Sequence, residues 1–243
     1  MWFRAKRRSP NRRFPAKPAR KQSRRRQLLR WISIAGCGFY GACLVALLYL
    51  QWLPPLTTGV QLQRRVAAWL SWKPYDKHYL FIPLEEMSPH LAHAAVASED
   101  ARFFEHSGID WLELEKVLDR AQRRGRFSRG GSTITQQLVK NVFLTTHRSW
   151  IRKGLEFTLT PLAEFMLSKK RILELYLNVV EWGPGVYGAE AAARYHYGVS
   201  AKRLTRAEAA RLVACLPAPL ERQPQDMGAR AEDISERMRD MGW

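Results

Sequence analysis

The chain has 243 residues, enough for one domain of ordinary size or for a domain plus an anchor. Hydrophobic residues make up 46 %, which excludes wholesale disorder. Lys and Arg number 40 against 22 Asp and Glu, and the net charge of +18 by itself points to nucleic acid or an anionic membrane surface.

The surplus sits at the front. Residues 1–30 hold thirteen Lys or Arg and no acid, and the first acid of the chain is Asp76. The remainder carries only +5. Pro10, Pro15 and Pro18, with few apolar neighbours, predict a disordered tail. Residues 31–53 follow as an uncharged run of 23. As a helix it spans about 34 Å, enough for a bilayer core with some tilt. Trp31, Tyr49 and Trp52 lie near its ends, as interfacial aromatics do, and Pro54-Pro55 stops it. The run is long and lacks a clean small-x-small site, which argues against a cleaved signal peptide. Positive flanks stay in the cytoplasm. The tail therefore reads as a topology signal, with residues 1–30 inside, one transmembrane helix over 31–53, everything after it outside, and no nucleic-acid partner.

Cys37 and Cys43 lie in the span and Cys215 in a late helix, so the external part cannot close a disulfide of its own and rests on its core. Residues 54–80 read as a linker with an amphipathic patch at 61–72, either lying on the membrane surface or forming a stalk. From residue 84 the helical signals are regular. Ser88-Pro89 opens a helix to about Glu99. Asp110 with Glu113 forms a capping box, and Gly125 suits the C-terminal cap. Thr133 with Gln136 makes a second box. Ser149 caps a helix with Ile151, Leu155, Leu159, Leu162 and Met166 on one face, interrupted by Pro161 with an expected kink near Thr160. Ser168 caps the next. Residues 182–188 read as a Gly/Pro-rich turn, and 79–83 as the one candidate strand. A helix over 189–197 stops at Gly198, and Thr205 with Glu208 caps another that ends at Leu216-Pro217. A helix is predicted over 229–241. The fold class is mainly α.

Metal chemistry has no signature here, with no HExxH pair and no Cys cluster. Walker, GxGxxG and GxSxG motifs are absent too. One charge feature stands out. Arg120, Arg123, Arg124, Arg126, Arg129, Lys140, Arg148, Arg152 and Lys153 fall in a stretch with no acid. Within it Gly130-Gly131-Ser132-Thr133 stands at a predicted helix start. Free backbone N–H groups, hydroxyls and cations together suit a phosphate, against the alternative of a solvated basic face. Carboxylates bracket the stretch: Glu99, just before Phe103-Phe104, and Glu156, one turn after Arg152. A carboxylate beside apolar walls exchanges protons near neutrality, and one beside Arg stays ionised. Such a pair can divide the work of glycosyl chemistry.

These residues resemble a known family. Residues 99–108, from Glu99-Asp100 through Phe103-Phe104 to His106-Ser107-Gly108, are similar to the first motif of the peptidoglycan glycosyltransferases of family fifty-one. Residues 130–141, from Gly130 to Asn141, are similar to the second. Arg152 to Glu156, Arg171 to Asn178, and Gly188 to Leu216 resemble the third, fourth and fifth, in the family's order. The resemblance covers about 84–219. With no residues left for a transpeptidase domain, it narrows to the monofunctional members of Gram-negative bacteria. It implies a lysozyme-like glycosyltransferase domain at 81–220 with a smaller membrane-proximal lobe, a linker at 54–80 and a tail at 221–243.

The resemblance further implies polymerisation of lipid II. The 4-hydroxyl of one lipid II sugar attacks the anomeric carbon of the growing strand, undecaprenyl pyrophosphate leaves, and the linkage inverts to β-1,4. Glu99 would be the general base. Glu156 would lie beside the leaving pyrophosphate, whose charge Lys140 and Arg152 neutralise, with Arg148 and Lys153 as further candidates. Ser132, Thr133, Gln136 and Gln137 would shape the donor site, the last two with helix capping as the alternative. Arg102, His106 and Asn178 would support it. No cofactor is required; the family allows a divalent cation (Mg or Mn) at the pyrophosphate. Partners would be lipid II, the glycan strand, membrane lipids and proteins of division or elongation, at the inner membrane with a periplasmic catalytic domain. A lytic enzyme would need no pyrophosphate cations, and a non-catalytic scaffold would need neither Glu99 nor Glu156.

Overall fold

The computed structural model describes residues 19–125 and 131–243. Most of the predicted disordered tail, together with Arg126, Arg129 and Gly130 of the predicted anion site, lies outside them. The chain divides into two compact units, 1–43 and 44–243. Helix α1 (Ala19–Leu50) begins earlier than the expected span, because Arg24 to Arg30 continue its turns, and it stops at Leu50. Its segment Arg24–Leu50 is, among the described residues, the one helix long and apolar enough to cross a membrane, which suits it as an anchor.

The second unit is helical, as expected. After the last turn of α1 come α2 (Gly59–Leu70), α3 (Pro89–Glu99), α4 (Trp111–Arg124), α5 (Ile134–Phe143), α6 (Trp150–Met166), α7 (Lys169–Val179), α8 (Ala189–Tyr197), α9 (Arg206–Ala214) and α10 (Gly228–Asp240). Most starts follow the caps read from sequence. Ser149, Ser168 and Thr205 accept backbone N–H groups three residues on, and Thr133/Gln136 and Thr205/Glu208 are complete capping boxes. At α4 only half the box forms. Asp110 accepts the Glu113 N–H, but the Glu113 side chain turns to Arg120 instead.

Three elements depart from the expectations. Residues 59–70 are a packed helix, not a linker. Its Thr58 cap accepts the Gln61 N–H, α2 lies against α5, and Arg64 pairs with Glu181 at 2.9 Å. The buried face of α6 is Glu156, Leu159, Thr160 and Ala163, while Ile151 is exposed, and the helix runs on through Pro161 without a break. The expected turn at 182–188 is a hairpin of β2 (Glu181–Gly183) and β3 (Val186–Tyr187). β1 (His78–Tyr79) adds parallel to β3, in the order β1-β3-β2. At Gly188, φ is +82°, and a Cβ would lie 2.6 Å from the Asn178 carbonyl oxygen, so only glycine fits this exit from the hairpin.

α7 is the core helix. Every residue from Ile172 to Val179 is buried, and α5 and α6 pack on it. α3, α9 and α10 form a second packed group. Asn178 ties α7 to the segment before α3. Its amide exchanges hydrogen bonds with the Ile82 N–H (3.0 Å) and C=O (2.9 Å) and donates to the Glu174 carbonyl. Arg171 anchors the chain after α1 by donating to the carbonyls of Leu50 and Leu53.

Candidate active site

α3 ends at Glu99, and α5 begins at Ile134. The side chain between them holds both ends in place. Asp100, 7 % exposed, accepts the Ile134 N–H at 3.0 Å through one oxygen and the His106 Nε2–H at 2.8 Å through the other. His106 Nδ1 accepts the Gly108 N–H, which fixes the tautomer that donates to Asp100. Thr133 adds a bond from its hydroxyl to the Gly108 carbonyl. Gly108 itself has φ +92° and lies against Thr160 and Glu164 of α6, where a side chain would collide. Burial pushes the Asp100 carboxyl up, opposed by His106 and the Ile134 N–H.

Glu99 is half-buried at the end of α3, and one of its oxygens accepts the Gln137 Nε2–H at 2.9 Å. The Gln137 carbonyl oxygen accepts from the wholly buried Tyr176 of α7 at 3.4 Å, which orients the amide. One turn on from Gln137 is Lys140. Burial, then Arg152, lowers its ammonium, and Glu99 pulls the other way.

Two clefts meet at Gln137, which lines both. The narrower, about 350 Å³, holds Lys140, Asn141, Arg148 and Arg152, with Arg64 of α2 and the turn at 216–221 as its other walls. The wider, about 680 Å³, holds Glu99, Arg102, Ser132 and Thr133. Seven of the predicted site residues thus line one cleft or the other, with Gln137, an eighth, and Pro217 shared between them, while Glu156 and Lys153 line neither.

Glu156 is 3 % exposed. Arg152 takes one of its oxygens, and Lys153 donates to the other at 3.1 Å. The Lys153 ammonium also reaches Ser132 at 3.1 Å, bridging α6 to the loop before α5. Burial, with Arg152 and Lys140 nearby, pushes Lys153 down to about 8. Arg152 is further fixed by the His147 carbonyl at 2.7 Å.

Several predicted residues are tied into the fold, among them those expected to support the site. Gln136 lines neither cleft; it is 2 % exposed, and its carbonyl oxygen accepts the Thr133 N–H to close the capping box. The Thr133 hydroxyl is likewise occupied by capping and by Gly108. Asn178 and His106 are buried in the networks described above. Arg102 lines the wider cleft while paired with Glu105 and Asp110. Sequence reasoning missed Tyr176, whose type reads as core packing, and Arg64, whose pair Arg64-Arg65 read only as part of an amphipathic patch.

Asp100, His106 and Asp110 lie close enough together to suggest a metal ion. Their donor atoms do not fit one. His106 is held at both nitrogens, both Asp100 oxygens are taken, and one Asp110 oxygen accepts from both Arg102 and the Glu113 N–H. Near the cations of the narrower cleft, Glu156 likewise has both oxygens engaged.

The sequence pattern of the family described as Transglycosylase matches residues 65–241. The chain belongs to the transglycosylase family. The match takes in the second half of α2 and all of α10, and so reaches beyond the expected 81–220. A biosynthetic peptidoglycan transglycosylase of Pseudomonas entomophila is 43 % identical over 219 residues, covering 88 % of this chain and 92 % of that protein. One of Pseudomonas aeruginosa is 46 % identical over 183 residues, covering 75 % and 78 %. One of Azoarcus is 48 % identical over 166 residues, covering 68 % and 71 %.

Proposed function

We propose that the chain is a peptidoglycan glycosyltransferase of cell-wall biosynthesis, anchored in the inner membrane by one helix with its N-terminus in the cytoplasm. Its catalytic domain lies in the periplasm and polymerises lipid II into β-1,4 glycan strands. Glu99 takes the proton from the acceptor 4-hydroxyl. The freed oxygen attacks the anomeric carbon of the donor from the face opposite the pyrophosphate, so the linkage inverts. The C–O bond to undecaprenyl pyrophosphate breaks, and the electron pair leaves with it. Lys140, Arg148 and Arg152 stand where that charge develops, in a cleft where positive charge is more effective than in open water.

The observation that carries this reading is the place of Gln137. One side chain lines both clefts, orients the Glu99 carboxylate and lies one turn before Lys140. The residue that orients the base and one of the leaving-group cations are therefore carried by a single helix, α5. The engagement of both Glu156 oxygens supports a role as counter-ion that positions Arg152 and Lys153, not as an acid for the leaving group. The apolar anchor supports the same reading, because a polyprenyl substrate stays in the bilayer.

Labelled lipid II incubated with the purified full-length protein tests the proposal. Glan strands of increasing length are expected. Release of fragments from finished murein would mark a lytic enzyme instead, and inertness toward both would mark a scaffold.

A further inference from the structure

The wider cleft has a wall that the reaction above does not use. Besides Arg102 and Arg120, which are paired with acids, its cations come from three separate segments: Lys116 on α4, Arg222 on the turn after α9, and Arg230 with Arg237 on α10. Arg230 and Arg237 are seven residues apart, two helical turns, so they share a face of α10. Arg222 and Arg230 both influence the Cys215 thiol, as does Asp226 with the opposite sign. Glu99, Asp100, Asp110 and Glu113 line the same cleft, but Asp110 pairs with Arg102 and Glu113 with Arg120, so these two acids do not neutralise those four cations. Among the described residues neither Lys116 nor Arg230 has an ion-pair partner, Arg222 is held only by the Ala214 carbonyl at 3.1 Å, and Arg237 has Asp233 of its own helix at 2.9 Å. Like charges brought together in a concave site repel one another and are relieved when an anion enters. The cleft they line opens on Glu99.

We infer that Lys116, Arg222, Arg230 and Arg237 form a second anion subsite, which holds an oxyanion of the substrate molecule on the Glu99 side and makes α10 part of the substrate site. The inference rests on the proposed reaction, in which two substrate molecules meet at Glu99 and the narrower cleft takes the leaving diphosphate. Two oxyanions then remain in reach of the wider cleft: the diphosphate of the other molecule and the carboxylates of its peptide. A guanidinium fork holds either kind. The C-terminal helix, which packs on α3 and α9, thereby has a use besides packing.

The test compares initial rates of full-length wild type and the double variant Arg230→Gln/Arg237→Gln over a range of lipid II concentrations. Both side chains are exposed, so the fold is expected to persist, with thermal unfolding as the check. The expected result is a KM raised at least fivefold, kcat within twofold, and a weaker dependence of KM on salt. Arg239→Gln, on another face of α10, is expected to leave KM unchanged. Lipid II with amidated peptide carboxylates separates the two sources. If carboxylates are the ligand, amidation raises the wild-type KM toward that of the variant; if the diphosphate is, amidation changes nothing. An unchanged KM in the folded double variant would overturn the subsite while leaving the reaction standing. Failure of the wild type itself to polymerise lipid II would instead sink the reaction on which the inference rests.

Discussion

The amide of Gln137 donates to Glu99 at 2.9 Å while its carbonyl oxygen accepts from the buried Tyr176 hydroxyl. The carboxylate at the end of α3 is therefore aimed from the core, through two side chains. Gln137→Leu keeps the size of the residue and removes both bonds. Polymerisation by that variant is expected to fall roughly ten- to a hundredfold in kcat, the scale on which a misplaced general base acts, with a stability loss of about 1 kcal/mol from the orphaned Tyr176 hydroxyl. Steady-state kinetics on purified lipid II, with unfolding followed in parallel, check this.

Glu156 is the only acid in contact with Arg152 and Lys153 among the described residues. Glu156→Ala leaves two partly buried cations facing each other. Both keep some access to water, at 17 % and 32 % side-chain exposure, so the expected loss is about 2 kcal/mol, below that of a fully buried pair. Denaturant unfolding measures it. A stable Glu156→Ala would mean that the carboxylate is not the counter-ion.

The lowered Lys153 ammonium gives two pH effects of opposite sense. It loses its proton as pH rises through about 8, whereas in the unfolded chain it does so near 10.5. The folded protein thus binds this proton less tightly than the unfolded one. The penalty is fully present below about 8 and is relieved between 8 and 10.5, so stability from this residue rises with pH in that window. Anion affinity moves the other way, because Arg152 and Lys140 lose a neighbouring charge. Inhibition by inorganic pyrophosphate is expected to weaken several-fold between pH 7 and 9, and Lys153→Arg is expected to flatten that change.

Asn178 separates support of the fold from contact with substrate. Asn178→Ala strips partners from the buried N–H and C=O of Ile82 and is expected to cost about 3 kcal/mol in unfolding free energy. At a temperature where the variant is folded, its KM for lipid II is expected to match wild type.

Sequence carried the helices well because their starts are local. Thr133, Ser149, Ser168 and Thr205 each announce a helix through a hydroxyl that bonds three residues on, and each does so in the fold. The β2–β3 hairpin was not legible, since two strands of two or three residues show no alternation, and Gly183, Gly185 and Gly188 suit a turn equally well. α2 was misjudged because its partner α5 lies some seventy residues away. The same limit governs the site. Motif resemblance marked Glu99, Lys140, Arg152 and Glu156, but not that Gln137 stands between two clefts or that Gln136, its neighbour, faces the core. Adjacent residues on a helix point about 100° apart, and only the packing of α5 on α7 decides which one lines the clefts.

The central claim is that Glu99 is the base for strand polymerisation, and Glu99→Gln tests it most directly. Glutamine is close in size and still accepts the Gln137 hydrogen bond through its carbonyl oxygen, so the thermal midpoint should stay near that of wild type. Polymer formation from purified lipid II should fall by at least a hundredfold. Near wild-type polymerisation by the folded variant would contradict the account.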